Sequence, residues 1–170
     1  MGRSIRHGGF YTAGSTRWVL HVRFYTAGWR IFDRVIKTIT HTVGTKGQGD
    51  AHDLTASVRR AVAGMRQGIA TVFVVGSTAG ITTIEFEPGA VADLNRLFEE
   101  LAPSDAEYQH HLRWGDDNGS SHVRAALLGP SLTVPFAEGD LLLGTWQQIM
   151  LVEFDTRPRD REIVIQVIGE

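Results

Sequence analysis

Apolar positions along the chain fall into short blocks with two different periods. Val35 to Val43 is β-branched and partly alternating, a strand pattern, and Ile163, Ile165 and Val167 alternate strictly within the closing Arg161–Ile168 stretch. Ile69 to Val75 is a nearly continuous apolar run, which predicts a central strand covered on both sides. Gly76-Ser77-Thr78-Ala79-Gly80 interrupts it, and Ile81 to Phe86 resumes as a further strand. Helical spacing occurs twice. Val58, Ala61, Val62 and Met65 predict a helix capped by Asp53 or Thr55 and ended at or just before Gly68. Val91, Leu94, Leu97, Phe98 and Leu101 predict a second helix that starts at Pro88 and is stopped by Pro103. Val123–Leu128 and Leu132–Phe136 predict strands on either side of a Gly129-Pro130-Ser131 turn, and Leu141–Leu143 and Trp146–Phe154 continue the sheet. Many strands with two helices in separate blocks imply an α+β domain of mostly antiparallel sheets packed with those helices. The absence of regular strand–helix–strand alternation argues against a dinucleotide fold.

Residues 1–33 differ in character. They hold a short echo, Phe10-Tyr11-Thr12-Ala13-Gly14 and Phe24-Tyr25-Thr26-Ala27-Gly28, among arginines, glycines and aromatics with few acids. Two copies of five residues are too short and irregular for a solenoid repeat. The segment reads as an extension outside a domain spanning 34–170: either a flexible or partner-contacting arm or, as the favoured explanation, an upstream stretch included by an early start codon. With 170 residues the chain is long enough for one core without staples, and it has no cysteine. That removes thiolate nucleophiles and thiolate ligands, so any metal must use nitrogen and oxygen. A formal charge of -2 gives no electrostatic footprint for nucleic acid or anionic membrane. The chain has no run of the ~20 apolar residues that a membrane span needs and no apolar signal block at its start. A cytoplasmic protein is expected.

The chemistry concentrates between Tyr108 and His122, where three of the seven histidines lie with Asp116, Asp117 and Asn118 in a loop too polar for a core. Imidazoles and carboxylates at the two ends of one loop converge when it folds back, which is how metal and acid/base sites are built. Gly44 to Gly49 is glycine-rich but lacks the full phosphate-loop spacing. The Gly76–Gly80 turn brings backbone N–H groups and the small side chains of Ser77 and Thr78 close to whatever binds there.

Four segments taken together resemble the YjbQ family: Gly76-Ser77-Thr78-Ala79-Gly80-Ile81-Thr82-Thr83-Ile84-Glu85; Tyr108-x-His110 through Ser121-His122; Leu128-Gly129-Pro130-Ser131 with Val134-Pro135; and Leu143-Gly144-Thr145-Trp146-Gln147-Gln148. The resemblance covers roughly Val35 to Glu170. It implies a compact α+β fold, a homotrimer, and polar residues gathered in a cleft. It also implies the secondary thiamine-phosphate synthase activity attributed to some members, in which an aminopyrimidine methyl diphosphate is joined to a thiazole phosphate. Many relatives carry a histidine where this chain has Gly76, so a three-histidine metal site does not transfer.

On that basis the candidate catalytic residues are His122, His110 and Glu85. A divalent metal, zinc or magnesium, would be held by His110, His122 and Asp116, with His41 or His52 as a third imidazole only if the fold brings one near. For a phosphorylated small-molecule substrate the candidate contacts are Ser77, Thr78, Asn118, Arg124, Trp146, Gln147 and Arg159, with Arg161 as a further cation; Trp146 would stack on a pyrimidine unless it is core, and Gln147 would recognise a heterocycle. His111 aligns with a variable position and reads as a surface histidine. The readings that compete with the transferase are a metal-assisted hydrolase and a non-catalytic ligand-binding trimer.

Overall fold

The computed structural model describes residues 5–12, 15–24 and 32–170. Among these, ten strands and four helices follow one another as β1 (Ile5–Thr12), β2 (Ser15–Phe24), β3 (Phe32–Thr45), β4 (Ala51–Asp53), α1 (Thr55–Val62), β5 (Gln67–Val75), β6 (Ala79–Ile84), α2 (Pro88–Leu101), α3 (Gln109–Trp114), α4 (Gly119–Leu128), β7 (Ser131–Ala137), β8 (Asp140–Leu141), β9 (Gln148–Glu153) and β10 (Arg159–Gly169). Seven strands form one sheet in the order β1-β2-β3-β10-β5-β7-β8, and three form a second in the order β4-β9-β6. Every neighbouring pair is antiparallel. The protein is therefore α+β with mostly antiparallel sheets, as its pattern implies.

Register explains where the core lies. Ile165 stands opposite Ile39 on one side and Val72 on the other, and Val72 stands opposite Leu132, so one row of apolar side chains crosses the large sheet on a single face. That inner face packs with Val58, Ala61 and Val62 of α1 and with Ile81, Ile149 and Leu151 of the small sheet. The opposite face of the small sheet carries Met150 and Val152, which pack with Phe98 of α2, Ala125 of α4 and Phe154 in a second cluster. Phe98 and Phe154 meet edge to face at 4.8 Å. The small sheet thus lies between the large sheet and the helices that carry the candidate chemistry.

α2 has the predicted bounds because its end signals are local. Pro88 occupies its first turn, and the Glu87 carboxylate accepts hydrogen bonds from the Gly89 and Ala90 N–H groups. Several other expectations need correction. Among the described residues four helices are present rather than two, since α3 and α4 occupy the Tyr108–Leu128 region. Val123–Leu128, expected as a strand, is the body of α4. Its alanines favour helix, and a stretch of six residues is too short to distinguish the two periods. α1 ends at Val62, where Met65 N–H turns back to the Val62 carbonyl. Gly68 instead lies inside β5, where a Cβ would run into the Ile168 carbonyl. β5 is central but one-sided: Ala70, Val72 and Val74 are buried while Ile69, Phe73 and Val75 are 41 to 46 % exposed. The expected Trp146–Phe154 strand begins only at Gln148.

β2 pairs with β3 from Ser15 opposite His41 to Phe24 opposite Phe32, and β1 pairs with β2. The backbone of these N-terminal strands therefore extends the large sheet at the β3 edge. In the sequence echo, Ala13, Gly14 and Tyr25 to Gly28 lie outside the described residues.

Candidate functional site

α3 and α4 meet at a tight corner. Gly115, at φ 64°, ends α3 in the left-handed conformation, and Asp117 at φ 50° continues the reversal into α4. The helices approach so closely that a Cβ on Gly119 would lie 2.8 Å from Tyr108 Cγ and 3.0 Å from His111 Nε2. Glycine at that position is thus a requirement of packing.

The corner brings His110, Asp116, Asn118 and His122 together. The His110 and His122 rings lie 4.5 Å apart, inclined at 54°. His110 Nε2 is 3.4 Å from Asp116 Oδ1. Asn118 is buried, and with its amide nitrogen turned toward these groups, the orientation their acceptors demand, it donates to His110 Nε2 and Asp116 Oδ1 at 3.1 Å each. An imidazole that accepts at Nε2 carries its proton on Nδ1. Ser120 and Ser121 are buried beside His122, and Ser121 Oγ has no hydrogen-bond partner among the described residues.

His111 is not a surface histidine. Its side chain is 19 % exposed, its ring centroid lies 5.4 Å from that of Tyr108, and its Nε2 accepts a 3.0 Å hydrogen bond from Gly119 N–H. It satisfies one of the orphan donors at the start of α4, where the Asn118 side chain does not cap. The tertiary corner, not the local sequence, gives His111 this task.

The remaining candidates are dispersed. Glu85 is exposed just beyond the end of β6, on the connection to α2. Arg124 is 2 % exposed and donates to the Ala102 carbonyl through Nε and Nη2 at 2.9 and 2.7 Å and to Glu99 at 2.5 Å. Its guanidinium thus closes the C-terminal end of α2. Gln147 accepts from Gly144 N–H and donates to Thr83 Oγ1, which pins its loop with both ends of its amide engaged. Trp146, on that loop, is 70 % exposed and is no part of the core. Ser77 is exposed, whereas Thr78 is buried and donates to Asp155 Oδ2 at 2.9 Å. Arg159 pairs with the same Asp155, whose pKa is lowered by the Thr78 hydrogen bond and both arginines against the opposing effect of burial. His41 faces α1, and its pKa is lowered by burial and then by the Arg60 charge; His52 is engaged by Asp50 at 2.9 Å. Neither imidazole joins the corner, and no group of three or more His, Asp or Glu side chains among the described residues is arranged to hold a metal ion.

Sequence reasoning passed over the ion pairs around Glu153. This residue is fully buried in β9, and a charged residue inside the apolar Ile149–Phe154 run was the available signal. Arg161 forks onto it, with Nε at 2.6 Å from Oε2 and Nη2 at 2.5 Å from Oε1, and Thr45 donates to Oε2 at 2.8 Å.

Comparison with known proteins places these features in context. The family model described as UPF0047 protein YjbQ-like matches residues 39–170. A UPF0047 protein of Methanothermobacter thermautotrophicus is 41 % identical over 120 residues, covering 69 % of this chain and 82 % of its own. The UPF0047 protein YugU of Bacillus subtilis is 32 % identical over 138 residues, covering 79 % of this chain and all of its own. Among solved structures, a YbjQ-like protein of unknown function from Sulfolobus solfataricus superposes with a TM-score of 0.71 at 32 % identity, over 79 % of this chain and 99 % of its own. An uncharacterised conserved protein of the same family from Clostridium acetobutylicum gives 0.65 at 33 %, over 74 % and 98 %.

Proposed function

The chain belongs to the UPF0047 YjbQ-like family, and from that premise we propose that the α3–α4 corner is an acid/base site that transfers a heterocyclic group from a diphosphate ester. The reaction is the one the family resemblance implies. The lone pair of the thiazole nitrogen forms a bond to the methylene carbon of the aminopyrimidine methyl diphosphate. The carbon–oxygen bond breaks, and pyrophosphate leaves with the electron pair and takes a proton. The observation that carries the reading is the pairing of His110 and His122 at 4.5 Å, with Asn118 donating to both His110 and Asp116. In this reading His122, which has neither of those partners, gives the proton to the leaving group.

Trp146 supports a substrate role by its exposure on a pinned loop, where an indole face is open for stacking on a pyrimidine. Glu85 and Ser77 remain available as exposed polar groups. The engaged amide of Gln147 and the buried guanidinium of Arg124 favour positioning roles in place of direct contact. His110, His122 and Asp116 are neighbours, but no three such side chains among the described residues are arranged to hold zinc or magnesium, so no step is assigned to a metal.

The same proposal takes the protein as a cytoplasmic homotrimer whose subunits meet through the outer face of the large sheet, where Ile69, Phe73, Val75 and Ile168 are exposed together. No described helix is long and apolar enough to cross a membrane.

The test is pyrophosphate release from the two heterocyclic phosphates by the full chain. Wild type is expected to turn over and His122→Ala to lose about a hundredfold or more, the range for removal of a general acid. Undiminished turnover by His122→Ala, or none by wild type, sinks the reading.

A further inference from the structure

The turn that carries the chain from the large sheet to the small one, Gly76-Ser77-Thr78, lies directly over Arg161. The Arg161 side chain is 8 % exposed. A guanidinium has five N–H donors. Nε–H goes to Glu153 Oε2, and the two protons of Nη2 go to Glu153 Oε1 and, at 2.7 Å, to Thr78 Oγ1. The two donors of Nη1 have no acceptor among the described residues.

Gly76 determines where those donors point. A Cβ built at this position would lie 2.8 Å from Arg161 Nη1, and the backbone φ of +148° is one that side chains rarely adopt. Any other residue at 76 would therefore have to push the guanidinium aside. Lacking a side chain, Gly76 lets Nη1 rise against the exposed turn, whose next residue is Ser77. The carboxylates below hold the group in place: Glu153 forks with Arg161, and Asp155 is shared by Thr78 and Arg159. An arginine fixed in this way is a preorganised donor, because its rotamer freedom is already lost before a ligand arrives.

We propose that this notch is an oxyanion site for a phosphate-class ligand, formed by Arg161 Nη1 and Ser77 and made accessible by Gly76. Two arginines balance two carboxylates here, so recognition rests on directed hydrogen bonds and not on net positive charge. The site is separate from the histidine corner. The turn leads into the start of β6, where Ile81 N–H bonds the Gly129 carbonyl at the end of α4, whereas His122 lies in the first turn of that helix. A free phosphate and the phosphate group of an ester present the same acceptors, so inorganic phosphate and a thiazole phosphate serve as parallel probes.

The experiment is thermal unfolding and calorimetric titration of the full chain with each probe, against chloride at matched ionic strength. Saturable stabilisation of wild type by inorganic phosphate is expected. Ser77→Glu, at an exposed position where folding is retained, sets a carboxylate at the mouth and should weaken binding at least tenfold. Gly76→Ala should do the same. His122→Ala should bind phosphate as wild type does, which separates this site from the transfer reaction whatever becomes of that reading. The proposal is overturned if phosphate stabilises no more than chloride, if Ser77→Glu binds unchanged, or if only thiazole phosphate binds and His122→Ala abolishes it.

Discussion

Replacing Arg161 with methionine would remove the guanidinium that joins the two sheets and leave Glu153 fully buried without its counter-charge. In the native protein Glu153 of the small sheet receives two hydrogen bonds from Arg161 and one from Thr45, both in the large sheet, and a fourth from Asp155 N–H. Breaking a buried pair from one side costs roughly 3–5 kcal/mol, because the remaining charge keeps its desolvation penalty and loses its partner. A domain of this size moves its melting midpoint by about 2–4 °C per kcal/mol, so the variant should melt about 6–20 °C lower. Removing both charges with Arg161→Met and Glu153→Leu together should cost less than the Arg161 change alone, since no uncompensated ion is left. Urea unfolding of wild type, both single variants and the double variant measures the coupling. A loss under about 1 kcal/mol for Arg161→Met, or a double variant as unstable as the sum of the singles, would refute the account of this pair as the clamp between the sheets.

Three further outcomes follow from local geometry. Glu99 is held from its ordinary 4.5 down to about 2 by Ser104 N–H and hydroxyl and then by Arg124. A depressed carboxyl contributes stability that is full above 4.5 and is lost as pH falls toward 2. Glu99→Gln should therefore narrow the stability gap to wild type across that window, and acid titrations with parallel curves would contradict the assignment. His111→Ala should cost about 0.5–2 kcal/mol through the lost hydrogen bond to the start of α4, read as a lower urea midpoint; an unchanged midpoint would return His111 to the surface class. Under the proposed trimer contact, wild type should scatter light as a trimer and Phe73→Glu, on the outer face of the large sheet, as a monomer; a monomeric wild type or a trimeric variant would exclude that face as the contact.

The histidine corner was legible because its residues are near neighbours in sequence: His110 and His122 bracket a Gly-Asp-Asp-Asn-Gly run whose polarity forces a surface reversal. α2 was legible to the residue because Pro88, Glu87 and Pro103 act within one turn of its ends. The role of His111 was hidden because its acceptor function exists only once α4 is folded back on α3. Arg124 and Arg161 read as free cations for the same reason. The Ala102 carbonyl stands 22 residues from Arg124, and Arg161 meets Glu153, eight residues away, and Thr78, 83 away, only once the two sheets face each other.

By itself the sequence determined the alternating strands, the α+β class, the bounds of α2 and the gathering of His110, Asp116, Asn118 and His122, all of which rest on periodicity, end signals or short loops. Only the tertiary structure decided that Val123–Leu128 is helical, that β5 shows one apolar face outward, and that a side chain at position 76 would begin 2.8 Å from Arg161 Nη1. These depend on which distant backbone or carboxylate comes within hydrogen-bond reach, and that is set by sheet order and register.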